Sequence, residues 1–261
     1  MPQEYPALQA LLDKLPPITL EEMSGIKLMN RTDTKFVTTM PVLEQLLALC
    51  QGCYYVQRNC EHEIAPYRTI YWDDDAHSMF QHHQCGHKPR TKVRARTYVD
   101  SQLSFLEIKK KDNHGKTRKK RIQVPSLEDV MEHGTGEEFL KERTPFCFLQ
   151  PEEGRTLIKA RIQNQFHRIT LVNKGHTERL TIDFGLRFKN FDSGIEHELP
   201  RTVIIELKRD GRQPSPILPL LRQLRIKPAG FSKYCIGTAL TNPEVRLNNF
   251  KLRLIKLRRY L

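Results

Sequence analysis

The segment from Thr91 to Lys111 constrains this chain most, because its charges fall two residues apart in what reads as a pair of strands. A short polar turn at Asp100-Ser101-Gln102 joins the two strands. Residues i and i+2 of a strand share a face. Arg94 and Arg96 therefore line one side of the first strand, and Glu107, Lys109 and Lys111 line one side of the second. The other side carries Val93, Ala95 and Thr97, then Leu106 and Ile108. A half-buried strand ordinarily turns its apolar side to the core and its charges to water. The alternative is that the charged side lines an enclosed cavity for a polyanion, and repetition of the spacing elsewhere decides between the two.

The spacing recurs. Residues 27–37 read as a strand with Arg31, Asp33 and Lys35 on one face, and residues 118–124, after the Asn113-His114-Gly115 turn, place Lys119 and Arg121 together. Residues 158–172 do the same for Phe166, Arg168 and Thr170. Residues 179–184 align Arg179, Thr181 and Asp183 against Leu180, Ile182 and Phe184. Residues 201–209 align Glu206 and Lys208 against Ile205 and Leu207. A further strand is read at 67–72, where aromatic and β-branched residues concentrate. A single strand of this kind has a solvated face; a whole set, apolar on the reverse, needs both faces covered. The expectation is an α+β chain with a closed antiparallel β-barrel of about eight strands, charged inside and coated by helices. Crowded like charges repel unless an anion neutralises them, so the lumen should take a ligand with several negative charges.

Helices fill the intervals. Thr19 starts one before Leu20-Glu21-Glu22-Met23, after a lead broken by Pro16-Pro17, and is expected to pack on the outside. Pro41 sits at a first helical position ahead of the Leu43, Leu46 and Leu47 stripe. Asp73 to Asp75 cap a helix through Met79 and Phe80, and Ser126 three residues before Asp129 starts a connecting helical segment. Residues 217–224 and 232–240 read as helices. Residues 1–245 are expected to form a single domain. The remainder, 246–261, is a basic tail without an acid, readable as helix, final strand or surface arm.

Composition narrows the ligand by sign. With 43 Lys+Arg against 30 Asp+Glu among 261 residues, the formal charge of +13 favours nucleic acid, an anionic membrane or a phosphorylated metabolite. Nucleic acid is disfavoured, since no zinc finger, RNP-type aromatic run or helix-turn-helix signal is present. No G-x-x-x-x-G-K-[ST] loop offers the P-loop route to ATP. Neither a leader nor a membrane-spanning apolar run is read, so a cytoplasmic protein is expected. Cys50-x-x-Cys53, with Cys60 and His62 and then Cys85 and His87, approaches a zinc spacing without a clean second half, and free thiols are the favoured reading.

The run Leu28-Met29-Asn30-Arg31-Thr32-Asp33-Thr34-Lys35-Phe36, Arg94-x-Arg96, Glu107-x-Lys109, Phe166-x-Arg168, Arg179 to Asp183, Glu206-x-Lys208 and Phe231-Ser232-Lys233-Tyr234 resemble, in that order, the VTC (vacuolar transporter chaperone) catalytic domain of the triphosphate tunnel metalloenzymes. The resemblance spans roughly 19–240. It implies an eight-stranded tunnel for ATP and inorganic polyphosphate, in which a manganese or magnesium ion assists γ-phosphoryl transfer to a growing chain. By position, Arg94, Arg96, Lys109, Arg168 and Glu206 would be catalytic. Lys35, Arg31, Arg179 and Lys208 would hold phosphate, with Lys120 or Arg121 supplying another contact. Ser232 and Lys233 would close one end from a helix. Glu206 would be the chief metal ligand, and Glu107 would assist the metal or orient its basic neighbours.

Three departures accompany the resemblance. Gly230 stands where the polymerase motif has a lysine before Phe-Ser-Lys-Tyr, leaving that contact missing or supplied by Lys227. No inositol-phosphate-sensing domain or membrane span is read. Arg31-x-Asp33-x-Lys35 replaces the Glu-x-Glu-x-Lys strand of the hydrolytic branch, so fewer carboxylates are available to two metals. A polymerase, a metal-dependent triphosphatase or polyphosphatase, and a non-catalytic polyphosphate binder all remain open at this point.

Overall fold

The computed structural model describes residues 5–24, 31–59, 62–211, 213–248 and 250–260. Residues 27–30 of the first expected strand, the side chain of Arg31, and Cys60 lie outside the described part.

Alternation of buried and exposed residues produces long antiparallel strands, and polar turns or helices separate them. In chain order the elements are α1 (Pro6–Leu12), β1 (Pro17–Ile18), α2 (Leu20–Ser24), β2 (Arg31–Thr39), α3 (Met40–Cys50), β3 (Tyr54–Gln57), β4 (Ala65–Asp73), α4 (Ser78–Gln84), β5 (Arg90–Tyr98), β6 (Leu103–Lys111) and β7 (Thr117–Val124). There follow α5 (Leu127–His133), α6 (Glu137–Lys141), β8 (Phe146–Cys147), β9 (Thr156–Leu157), β10 (Lys159–Asn173), β11 (Glu178–Asn190), β12 (Glu196–Leu199), β13 (Thr202–Asp210), α7 (Ile217–Gln223), α8 (Lys233–Thr241) and α9 (Lys251–Leu257).

The main sheet follows the path β2-β13-β11-β10-β4-β5-β6-β7, with every step antiparallel. It curls. Lys35 on β2 donates to the Phe231 carbonyl at 2.8 Å, while Lys92 on β5 donates to the hydroxyl of the next residue, Ser232, at 3.2 Å. Five inter-strand steps separate β2 from β5, about 24 Å in a flat sheet, so only a rolled sheet brings both to adjacent residues. Among the described residues the end strands β2 and β7 form no ladder with each other. The sheet is therefore large, antiparallel and curled, without the hydrogen-bonded closure of the expected barrel.

Helices cover the outer face as the two-sided pattern requires. Leu8 and Leu12 of α1, Leu43, Leu46 and Leu47 of α3, and Ile217 and Leu221 of α7 join Ile169, Leu180, Ile182, Ile205 and Leu207 in one core. A second core packs α5 and α6, through Leu127, Val130 and Leu140, on Ile70, Val93, Ala95, Leu106 and Ile108. Starts and stops obey local chemistry. Thr19 and Glu22 form a reciprocal capping box, and Ser126 accepts the Asp129 amide at 3.0 Å. Asp74 caps the Ser78 amide, while Asp73 accepts the Met79 and Phe80 amides, all at 2.9 Å.

The basic tail becomes helix α9, whose Leu257 is buried with Phe250 in the second core. No helix among the described residues is long and apolar enough to cross a membrane.

Candidate functional site: a buried basic face

Register fixes which side chains share the inner face. Across the ladders, Lys35 faces Glu206, Glu206 faces Thr181, and Asp183 faces Arg168. Phe166 faces Tyr67, Thr69 faces Arg96, Tyr71 faces Arg94, Arg94 faces Glu107, and Lys92 faces Lys109. Glu107 faces Arg121, and Lys109 faces Lys119. Hence Lys35, Arg94, Arg96, Glu107, Lys109, Arg121, Arg168, Arg179, Glu206 and Lys208 fall on one surface. Lys120 does not: it pairs with Ile108, on the apolar outer side. Of the two candidates on β7, Arg121 is the inward one, its guanidinium 4.3 Å from the Phe105 ring centre.

Helix α8 crosses this inner face. Tyr234 stacks on Tyr71 at 5.3 Å and donates to Asp73, and a Cβ at Gly237 would come within 2.7 Å of Ile162. The helix thus occupies the apolar end and delivers its N-terminus to the charged end. Ser232 caps it through the Cys235 amide, and the Lys233 ammonium pairs with Asp183.

Carboxylates in this face are already committed. Arg168 grips Asp183 with two hydrogen bonds, Nε to Oδ1 at 2.6 Å and Nη2 to Oδ2 at 2.8 Å. Burial pushes the Asp183 carboxyl up, but Arg168 and Lys233 override it and hold it well below the usual carboxylate range. Glu107, 2% exposed at its side chain, receives Arg94 at 2.6 Å and Lys119 at 3.0 Å. Burial opposes its ionisation, and Arg94, Arg96, Lys109 and Lys119 outweigh burial. Glu206 is more open, 26% exposed at its side chain, with Lys208 at 2.9 Å. Lys208 and Lys35 hold it at about 2 against burial.

The cations are in excess. Among the described residues no carboxylate pairs with Arg96 or Lys109. Arg96, buried, donates to the Thr69 hydroxyl at 3.1 Å and lies over the rings of Tyr67 and Phe166. Arg168 lies over the same two rings, which stack at 5.2 Å. Arg94 and then burial push the Lys109 ammonium down to about 6. Burial lowers Lys92 to about 8 and Lys233 to about 7. Such a face is electrostatically unsatisfied until an anion enters it.

The metal assignment divides. Among the described residues no three His, Cys, Asp or Glu side chains stand close enough to hold an ion by themselves. Glu107 has a cation on each oxygen, Arg94 on one and Lys119 on the other. Among the described residues Glu206 keeps one oxygen without a cation on it and would suit a magnesium- or manganese-type ion completed by phosphate oxygens and water. Cys50 is buried and Cys53 exposed, both as free thiols.

Sequence reading passed over Lys92, Asp183 and the Tyr67 and Phe166 platform as binding residues. Lys92 sits two residues before Arg94, so the same i, i+2 rule would have included it. The same spacing puts Lys119 on the charged face, and its contact with Glu107 makes it part of the site. Lys227 is exposed, and the cavity beside Lys35 is bordered by Gly230 instead.

The chain has no match among curated proteins. Solved structures that match the chain include a putative adenylyl cyclase from Hippeastrum, described as having a dominant triphosphatase activity, at 14% identity and a TM-score of 0.45, covering 83% of this chain and 98% of that one. A putative adenylate cyclase from Vibrio parahaemolyticus gives 10% identity and a TM-score of 0.44 over 80% and 99%. The PH1012 protein from Pyrococcus horikoshii gives 11% and 0.41 over 76% and 91%. Residues 30–242 match the family described as the VTC domain, and that span, which holds the basic face from Lys35 to Lys233, makes this chain a member of the VTC domain family.

Proposed function

We propose that this chain is a polyphosphate polymerase that moves the γ-phosphoryl group of ATP onto the end of an inorganic polyphosphate chain. The observation that carries the reading is the cation surplus of the inner face: Arg96, buried, and Lys109, half-buried, without carboxylate partners among the described residues, stand beside Arg94 and Arg168. A ligand with several closely spaced negative charges relieves that repulsion.

In the transfer, a terminal phosphate oxygen of the acceptor attacks the γ-phosphorus, the bond from that phosphorus to the β–γ bridging oxygen breaks, and ADP leaves with its electron pair. The acceptor oxygen is already ionised, so no general base is needed. The loose transition state spreads charge over peripheral oxygens, where Arg94, Arg96, Lys109 and Arg168 donate hydrogen bonds. Lys35, Lys208, Arg121 and Arg179, with Ser232 and Lys233 at the α8 end, hold the remaining phosphates in line. A manganese or magnesium ion on Glu206 and phosphate oxygens would supply further charge neutralisation. The curled sheet serves as the tunnel wall in this reading.

A triphosphatase is the second reading. It requires a side chain to position water, and the candidates Glu107 and Asp183 are both saturated by cations, which favours the polymerase. Incubation of pure protein with ATP and manganese, followed by a polyphosphate-stained gel and a phosphate assay, tests the choice. Chain growth supports the polymerase. Phosphate release without chains supports the hydrolase, and neither product, with unimpaired triphosphate binding, leaves a binder.

A further inference from the structure

A cavity of about 480 Å³ opens beside the central cations rather than among them. Lys35 from β2, Lys92 from β5, His83 from α4 and Arg253 from α9 line it, with Ser232 at the head of α8 and Asp33 as the one carboxylate of the lining among the described residues. Arg253 lies beyond residues 30–242, the span shared with the family. The basic tail thus contributes to a cavity that the family domain alone would leave without this wall.

The chemistry of the lining is that of phosphate. Lys35 and Lys92 each hold one protein acceptor, the Phe231 carbonyl and the Ser232 hydroxyl, and an ammonium has further N–H groups to offer. Among the described residues His83 has a buried Nδ1 without a hydrogen-bond partner. Burial, then Lys92, Arg90, Lys35 and Arg253, keeps its imidazole neutral, with a pKa pushed down to about 2. An anion here would neutralise that surrounding charge and let the ring donate.

Position selects the form of phosphate. Lys92 precedes Arg94 by two residues on the same face, about 7 Å along the strand, so the cavity continues the track of central cations. The geometry points to this cavity as a second phosphoryl subsite, where Arg253, His83 and Lys92 receive the outer phosphates of a linear inorganic phosphate chain whose inner phosphates lie on Arg94, Arg96 and Arg168. The assignment rests on the phosphate-chain reading of the basic face and adds a chain-length preference set by the tail.

Calorimetric titration of the full chain with tripolyphosphate and with a long inorganic polyphosphate tests it. In Arg253→Gln, affinity for the long chain should fall about tenfold, the loss of one charge-assisted contact, while tripolyphosphate affinity changes less than about twofold. Arg253→Lys should recover part of the loss, and Lys256→Gln, an exposed cation on the same helix, should change neither. Equal long-chain affinity in wild type and Arg253→Gln overturns the subsite alone, as does an equal loss in Lys256→Gln, which would mark general attraction. A wild-type chain that binds neither ligand overturns the phosphate-chain reading and this subsite with it. Thermal denaturation of each variant separates a binding loss from misfolding.

Discussion

Arg94 and Glu107 stand directly opposite each other in the β5–β6 ladder, and the guanidinium reaches one carboxylate oxygen through Nε at 2.7 Å and Nη2 at 2.6 Å. Lys119 takes the other oxygen from β7. One carboxylate thereby ties three neighbouring strands and offsets part of the positive charge around it. Removing one partner of a buried pair leaves the other charges uncompensated, at about 3 kcal/mol. Glu107→Gln should therefore lower stability by about that amount in urea unfolding, while tripolyphosphate binding is no weaker than in wild type. A variant as stable as wild type that has lost metal-dependent binding would mark Glu107 as a metal ligand instead.

Glu206 contrasts with Glu107 by its openness. Glu206→Gln keeps the shape and removes the anionic oxygen a cation would need. Manganese should strengthen tripolyphosphate binding to wild type and leave the variant unmoved, and any ATP-dependent activity should fall on the order of a hundredfold, as for loss of one stabilising contact to the transition state. Equal manganese enhancement in both proteins would refute the assignment.

These contrasts separate what the sequence makes legible from what it does not. The i, i+2 rule identified the inner face because a pleat has period two, and it located Arg94, Arg168, Lys35 and Glu206 correctly relative to one another. It could not tell Glu107 from Glu206, since both precede a lysine by two residues. What distinguishes them is where the facing cation goes: Arg94 bonds Glu107 across the ladder, whereas Lys35, across from Glu206, donates to the Phe231 carbonyl, and pairing register depends on turns and bulges, such as the shift between Gln165 and His167. Lys120 and Arg121 were likewise inseparable until Ile108 and Glu107 were known to face them. The curl that brings Lys35 and Lys92 to adjacent residues and the reach of Arg253 into the cavity are tertiary facts that no local spacing encodes.

Lys109 gives the site a pH dependence. Its ammonium sits at about 6 in the free protein, well below the ordinary lysine value of about 10.4, and a bound anion raises it. Protons are then taken up on binding at any pH between the free and bound values, so affinity rises as pH falls toward about 6 and levels off below. At pH 8, calorimetry in buffers of different ionisation enthalpy should show proton uptake lower by about one proton in Lys109→Gln than in wild type. Identical uptake in the two would exclude Lys109 from the phosphate contacts.

Gly237 lets α8 lie against the inner face, because a Cβ there would strike the Phe188 ring and reach Ile162 at 2.7 Å. Gly237→Ala should cost about 1–3 kcal/mol through overpacking. Since α8 carries Ser232 and Lys233, tripolyphosphate affinity should fall along with stability. Undiminished stability would mean that α8 rides higher on the sheet than its contacts with Phe188 and Ile162 require.

Gly230 offers the reverse experiment. It borders the cavity with Lys35 and Lys92, a Cβ built on it meets nothing within 4 Å, and its backbone is not in the left-handed region. A lysine there is sterically admissible, and the nearby Lys227 is exposed and absent from the cavity wall. Gly230→Lys should therefore add a charge-assisted contact and tighten binding of a long inorganic polyphosphate by up to about tenfold, with a steeper salt dependence, since one more cation is neutralised. The same variant also crowds a cationic cavity, so its apo form should lose a little thermal stability at low salt and regain it when the long polyphosphate is added. Weaker long-chain binding would mean that the cavity's existing cations already match the ligand's charge, and that glycine is kept there for room rather than for want of a lysine.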